Sequence, residues 1–257
     1  MAQLEAPPAV SAEYPYNGRI TGWDEFTDGL AIVTVDALEA PFPFEPGQYA
    51  TLGLMGTEKL VQRPMSICST ADDVPRYEFF IRLVPTGELT PLLWQRGVGD
   101  PINIKGAKGK FTLQPDGRAC LLVSSGTGIA PFISMIETLL RRGERRELIL
   151  LNGVSYDYDL GYRDYLERVA GEGHVPLTYV PTVSRPHECP GWTGATGRVE
   201  GIVEAQMERC GLDASNTTIY LCGNPDMVSS VEELAARRGF EPRNVRKELY
   251  WPKGRAH

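Results

Sequence analysis

The sequence is short of the residues that build metal centres and covalent frameworks. Its five cysteines, Cys68, Cys120, Cys189, Cys210 and Cys222, are odd in number, widely spaced and without a C-x-x-C pair. That excludes a disulfide scaffold and gives no pattern for a zinc or iron–sulfur site. The three histidines, His174, His187 and His257, are isolated and read as surface residues. No stretch approaches the ~18 apolar residues of a spanning helix. The N-terminus carries Glu5, Pro7 and Pro8 where a secretory signal needs a basic start and an apolar run. A soluble cytoplasmic protein is expected. Positive charge is also in deficit, the net charge being −7, which argues against nucleic acid as a partner. Two familiar phosphate motifs are incomplete as well. Ser125-Gly126-Thr127-Gly128 lacks the third glycine of the dinucleotide fingerprint and the lysine of a P-loop.

What the chain does contain centres on that turn. Cys120 to Ser124 forms an apolar strand, two glycines stop it, and Phe132 to Arg142 follows with Ile133, Ile136, Leu139 and Leu140 at helical spacing. Gly126 and Gly128 permit backbone that a β-carbon forbids, and Pro131 suits a first helical turn. Free amides at such a helix start suit a nucleotide phosphate, although an ordinary strand-to-helix connection in an α/β domain has the same form.

The flanks differ in rhythm. Met1 to Tyr16 is rich in Ala and Pro and reads as an extension. Short strands follow at Arg19–Glu25, Leu30–Ala37, Tyr49–Leu54, Val61–Ser69, Tyr77–Val84, Ile102–Lys105 and Phe111–Leu113, the spacing of a small barrel of about six antiparallel strands. A short helix interrupts them, with Thr90 in the form of an N-cap and Pro91 next. After Pro115-Asp116-Gly117 apolar runs at Cys120–Ser124, Leu148–Leu151, Leu177–Val183 and Thr218–Cys222 alternate with helical stretches at Phe132–Arg142, Tyr162–Ala170, Val199–Cys210 and Pro225–Arg238. That alternation predicts a doubly wound parallel sheet whose ligands bind beyond the carboxyl ends of the strands. The expected division is an extension at 1–16, a barrel domain at 17–116 and an α/β domain at 117–257.

Taken together, these motifs resemble the bacterial ferredoxin (flavodoxin)–NADP reductase family from about Asn17 to Trp251. Gln62-Arg63-Pro64-Met65-Ser66 is similar to its flavin strand, usually Arg-x-Tyr-Ser. Pro85 to Thr90 resembles its loop over the FAD diphosphate, Gly126 to Pro131 its nicotinamide-side turn, and Leu221 to Met227 its second nucleotide signature. Thr182 to Arg185 with Thr196-Gly197-Arg198 resembles the segment that holds the 2′-phosphate of NADP, and Glu248-Leu249-Tyr250-Trp251 the Glu-x-Tyr-Trp ending.

The resemblance implies an FAD-binding barrel, an NADP-binding α/β domain with a flavin-capping tail, and hydride transfer between nicotinamide and flavin N5. It implies FAD contacts from Arg63, Pro64, Met65, Ser66, Phe80, Glu88, Leu89, Thr90, Thr127, Tyr250 and Trp251, and NADP contacts from Ser184, Arg185, Arg198, Asn224, Pro225 and Asp226. Catalytic roles fall to Ser66, Cys222, Glu248 and Tyr250. The family partner is an acidic one-electron carrier, ferredoxin or flavodoxin. Arg237, Arg238 and Arg246, in the basic tail, are its expected dock, on a protein expected to be monomeric. Three positions depart from the pattern: Met65 replaces a tyrosine, Ser155-Tyr156 offers no arginine, and Pro252 to His257 extends past the aromatic ending. Two other readings stand beside this one. They are the reductase component of an oxygenase or a free-flavin reductase, and a non-catalytic nucleotide-binding regulatory subunit.

Overall fold

The computed structural model describes residues 16–250, and its chain divides into two compact units, Met1–Lys110 and Phe111–His257. Among the described residues no helix is long and apolar enough to cross a membrane.

The first unit is a six-stranded antiparallel sheet: β1 (Gly18–Thr27), β2 (Leu30–Ala37), β3 (Tyr49–Met55), β4 (Leu60–Ser66), β5 (Arg76–Arg82) and β6 (Pro101–Lys108), in the order β4-β3-β6-β1-β2-β5. An antiparallel bridge between Ile67 and Phe79 joins the two outer strands, so the sheet closes on itself. Alternation supplies the core. Ala50, Leu52 and Leu54 of β3 and Tyr77, Phe79 and Ile81 of β5 point inward and are buried. The Tyr77 ring stacks on Phe42 at 4.4 Å, and its hydroxyl both accepts from the Phe42 amide and donates to the Phe42 carbonyl.

The short helix α1 (Leu89–Leu93) plugs one end of this core with Leu89 and Leu93. Thr90 is not its cap. It lies inside the helix, and its hydroxyl accepts from the Val84 amide at 2.9 Å and donates to the Val84 carbonyl at 3.3 Å. A threonine read as an N-cap is therefore the pin that folds the 85–88 loop back on itself.

The second unit is a parallel six-stranded sheet in the order β10-β9-β8-β7-β11-β12, made of β7 (Ala119–Ser125), β8 (Leu148–Val154), β9 (Leu177–Val183), β10 (Ala195–Thr196), β11 (Thr217–Gly223) and β12 (Val245–Leu249). Its helices are α2 (Ala130–Arg142), α3 (Arg163–Glu172), α4 (Val203–Arg209) and α5 (Pro225–Arg237). β7, β8 and β11 are apolar on both faces because both are covered. Leu121, Val123, Ile219 and Leu221 pack with Val203 and Met207 of α4 and Val228 and Val231 of α5. Each such fully buried side chain contributes about 1.5–3 kcal/mol.

Phe111 to Leu113 is not a strand of the barrel, and the units divide before it. The Phe111 ring sits 5.8 Å from Phe132 of α2 and 5.9 Å from Tyr220 of β11, and the Gln114 amide donates to the Tyr220 hydroxyl. The stretch from Val199 to Cys210 is also broken, into a single turn at Val199–Gly201 and then α4. Two edge strands, β10 and β12, escaped the sequence pattern.

At the amino ends of the parallel strands, Arg146 ties the inter-strand loops together. It donates to the carbonyls of Gln114 and Arg118 and meets Asp116 at 2.5 Å. Burial opposes the Asp116 carboxylate, but the Arg118 amide, the Thr218 hydroxyl and the Arg146 guanidinium outweigh it and hold its pKa below the ordinary 3.8. A depressed folded-state pKa gives stability that is complete above the unfolded value and is lost as pH falls through the folded one. Thermal melts from pH 5 downward should therefore show a steeper acid-dependent loss in the wild type than in Asp116→Asn. Parallel curves for the two proteins would refute the linkage.

Candidate active site

The crevice of the second unit lies at the carboxyl ends of β7 and β11. The chain runs outward through β8 and β9 on one side of β7 and returns to β11 and β12 on the other, so these two neighbours flank the switch point where open α/β sheets bind ligands. Both strands end in glycine turns, and the turns touch. A β-carbon at Gly128 would lie 2.3 Å from the Cys222 carbonyl oxygen, and one at Gly223, which sits at φ +132°, would lie 2.4 Å from Ser125 Oγ. The Asn224 amide donates to that Ser125 hydroxyl at 2.9 Å. The Asn224 side chain then caps α5, accepting from the Asp226 amide at 2.7 Å, with Pro225 opening the helix.

Strand register places the remaining residues. Cys222 pairs with Ser124 on one side and Glu248 on the other, and Ser124 pairs with Asn152. One row thus runs Glu248, Cys222, Ser124, Asn152. Ser124 and Asn152 are buried, and the Asn152 amide group donates to the Ser124 hydroxyl at 3.0 Å. Sequence reasoning missed this pair, although each apolar run visibly ends in a small polar residue.

Cys222 has no solvent exposure. Burial first, then the negative charge of Glu248, push its thiol well above the ordinary 9.0, and a hydrogen bond with the Tyr250 hydroxyl works the other way. Tyr250 also donates to the Thr127 carbonyl at 3.0 Å. Its phenol therefore bridges the two glycine turns and covers the cysteine. Trp251 lies outside the described residues.

Toward the far side, Arg185 follows β9 and Arg198 follows β10, and the pairing of Thr182 with Ala195 and Val183 with Thr196 brings both arginines to one end of the sheet beside Ser184. The Arg185 guanidinium lies over the Tyr156 ring, 5.1 Å from its centre, and donates to the Tyr156 hydroxyl. Tyr158 stacks on Tyr156 at 5.0 Å. Arg198 is 74% exposed and stands 3.9 Å from Glu200. Tyr156 had been notable in the sequence only for not being an arginine.

On the barrel, Arg63 shares its inward side of β4 with Val61 and Met65, opposite Leu52, and reaches Glu88 in an ion pair. Both members of the expected diphosphate site therefore come together, along with the first amides of α1, which a short helix leaves without internal acceptors. Met65 is partly buried against the barrel core. Ser66 and the exposed Pro64 face outward in register with Tyr49 and Thr51. Phe80 is buried on the outer side of β5, its ring 5.9 Å from Phe26.

The residues present fit a dinucleotide in the second unit. A β-carbon at Gly126 would project into open space, so bare backbone with φ +54° faces the crevice just ahead of α2. On the first unit, Arg63 is brought to Glu88 at the start of α1.

Of the expected dock on Arg237, Arg238 and Arg246, the middle residue is paired with carboxylates. Arg238 is held by Glu204 and Glu208, and its neighbours Arg243 and Lys247 by Glu241 and Glu232. For Arg238 and Lys247 the cause is the fold, which brings α4 and α5 carboxylates to charges that look unopposed in sequence.

A family profile described as the oxidoreductase FAD-binding domain matches residues 31–113, and one described as the oxidoreductase NAD-binding domain matches residues 122–233. Ferredoxin–NADP reductase B of Sorangium cellulosum is 34% identical over 81% of this chain and 86% of its own length. The toluate 1,2-dioxygenase electron transfer component of Pseudomonas putida is 32% identical over 80% of this chain, which spans only 59% of that protein. Among solved structures, an Amycolatopsis cytochrome P450 reductase superposes with a TM-score of 0.80 at 28% identity, over 92% of this chain and 70% of its own. A Neisseria gonorrhoeae ferredoxin NADP+ reductase with bound FAD and NADP shares the fold at TM-score 0.79 and 23% identity, over 93% and 100% of the two chains.

Two outcomes follow from this geometry. Gly128→Ala should destabilise the protein by about 2 kcal/mol or more in urea unfolding, because the clash is with backbone that cannot turn aside. A loss below a few tenths would show that the turns can part. Iodoacetamide at pH 8 should label half-buried Cys210 in the native protein and spare Cys222 until unfolding. Equal labelling of the two would show that the crevice floor is open.

Proposed function

This chain belongs to the ferredoxin (flavodoxin)–NADP reductase family of FAD- and NAD(P)-dependent oxidoreductases, and from that premise we propose that it moves electrons between NADP(H) and a one-electron carrier, ferredoxin or flavodoxin. One match carries the proposal: the chain is 34% identical to ferredoxin–NADP reductase B over 86% of that protein's length, whereas it covers 59% of the oxygenase component.

Bound FAD supplies the exchange between a hydride and single electrons. The chain's own residues hold, orient and shield. Arg63 and the amides of Glu88, Leu89 and Thr90 hold the diphosphate, with Glu88 giving up or sharing the guanidinium that it meets. Pro64, Met65 and Ser66 edge the flavin ring, a thioether replacing the usual aromatic face. Thr127 and the Asn224-Pro225-Asp226 turn receive the coenzyme at the two glycine turns.

Cys222 orients the nicotinamide by shape, since a thiol so strongly held in its neutral form is a poor nucleophile. Glu248, its cross-strand neighbour, is the nearest carboxylate in that row for relaying a proton. Tyr250 is a displaceable cover, because its contacts with Thr127 and Cys222 occupy the place that the nicotinamide must reach. Ser184, Arg185 and Arg198 select the 2′-phosphate. A second reading, the electron-transfer component of an oxygenase, is favoured by the 32% identity to the toluate protein. Efficient reduction of an oxygenase iron–sulfur component with no reduction of ferredoxin or flavodoxin would establish it instead.

Anaerobic titration tests the coenzyme assignment through the flavin absorbance. NADPH should bleach the flavin at lower concentration than NADH. Arg185→Ala or Arg198→Ala should weaken NADPH by about tenfold or more while leaving NADH little changed, each charge-assisted hydrogen bond contributing about 1.5–3 kcal/mol. Equal losses for both coenzymes would remove the 2′-phosphate role, and a flavin bleached by neither would remove the reductase.

A further inference from the structure

The barrel carries a charged feature that the site above does not use. No acidic residue occurs between Asp100 and Asp116, yet Lys105, Lys108 and Lys110 fall in that interval. All three are exposed. Lys105 bonds only the amide oxygen of Gln62, at 3.4 Å, and neither Lys105 nor Lys108 meets a carboxylate among the described residues. In a chain of net charge −7 this is a local reversal of field.

Register shows where the reversal points. Residues paired across an antiparallel ladder share a face. Ser66, Tyr49 and Lys108 form one such row across β4, β3 and β6, and Pro64, Thr51 and Lys105 form the next. Lys105 and Lys108 are three residues apart, so regular alternation would send them to opposite sides. The bulge between Tyr49 and Thr51 absorbs the extra residue and turns both outward. Two strand spacings, about 10 Å, separate the Lys108 backbone from that of Ser66, and Lys105 lies one row further along. Other cations with clear partners are already spent, Arg63 on Glu88, Arg76 on Asp36, and Arg238, Arg243 and Lys247 on acids of the second unit.

We propose that the outer face of β4, β3 and β6, anchored by Lys105 and Lys108, is the docking surface for an acidic electron-carrier protein. The proposal rests on the carrier function above and moves the dock from the C-terminal tail to the barrel. Lysines suit the task. Their compact, well-hydrated charges steer a partner at long range and let it leave, where an arginine fork would bind more tightly. A protein carrier fits better than a free anion, because the charges are spread along a strand and not gathered at one point.

The test uses the FAD-loaded enzyme, NADPH as donor and an acidic plant-type [2Fe–2S] ferredoxin as acceptor, with neutral 1,4-benzoquinone as a second acceptor. Lys105→Glu with Lys108→Glu should lower kcat/KM for ferredoxin by at least about tenfold at low salt and flatten its salt dependence. Benzoquinone reduction and the KM for NADPH should not change. Arg237→Glu with Arg243→Glu should leave both acceptors unaffected. Wild-type ferredoxin kinetics in the strand variant, a rise in KM for NADPH, or a greater loss from the tail variant would overturn the docking face alone. A wild-type enzyme that reduces benzoquinone but neither ferredoxin nor flavodoxin would overturn the carrier function, and the docking face with it.

Discussion

Backbone contact between two adjacent strand ends is the constraint on which the second unit depends. β7 and β11 are parallel neighbours, and each must turn sharply toward its own helix within a few ångströms of the other. Only a residue without a β-carbon fits at position 128, against the Cys222 carbonyl, and only one tolerant of φ +132° fits at 223, against Ser125. The Ser125 hydroxyl then accepts the Asn224 amide, which would otherwise lie unpaired at the turn. Close approach has a chemical result. Two helix starts, α2 and α5, are brought to one place with their free amides and positive dipole ends together. A dinucleotide has a phosphate to offer each.

The two ends of the same sheet solve opposite problems. At the amino ends, where no ligand is expected, most polar groups are consumed internally, the buried Arg118 Nε excepted. Arg146 is 12% exposed and satisfies two carbonyls and a carboxylate, and Arg118 donates to the carbonyls of Ala214 and Thr217. At the carboxyl ends polar groups are lined up and only partly consumed. The row from Glu248 through Cys222 and Ser124 to Asn152 crosses four strands at one level. Its inner members satisfy each other, while Tyr250 covers the outer ones from above. A scaffold that is rigid below and polar above is what positional catalysis requires.

Much of this was legible in the sequence wherever one physical signal acted alone. β7, β8 and β11 declared themselves because strands buried on both faces are continuously apolar, and the helices between them kept a clean period. β12 did not, because an edge strand needs only one buried side and Val-Arg-Lys-Glu-Leu reads as a charged tail. Phe111 to Leu113 misled for the converse reason. Three residues with apolar ends look like a strand, but the aromatic ring was an anchor onto Phe132 and Tyr220. Thr90 had the right type and place for a cap, and tertiary contact with Val84 took its hydroxyl instead. Charge balance was not readable. The partners of Arg238, Lys247 and Arg63 come from 30, 15 and 25 residues away or so, and no local pattern announces them.

Arg185 shows why the kind of partner matters as much as its presence. A carboxylate fixes a guanidinium and cancels its charge, as Glu241 does for Arg243. An aromatic face fixes it and leaves the charge in place, because a ring quadrupole carries no net charge. Stacking on Tyr156 therefore removes rotamer freedom from Arg185 before any ligand arrives, and the planar fork remains electrically open at the strand ends. Tyr158 stacks on Tyr156 in turn. The missing arginine near Ser155 thus need not leave the position empty. A tyrosine there does not add a second cation, but it lowers the entropy cost of using the one that β9 supplies.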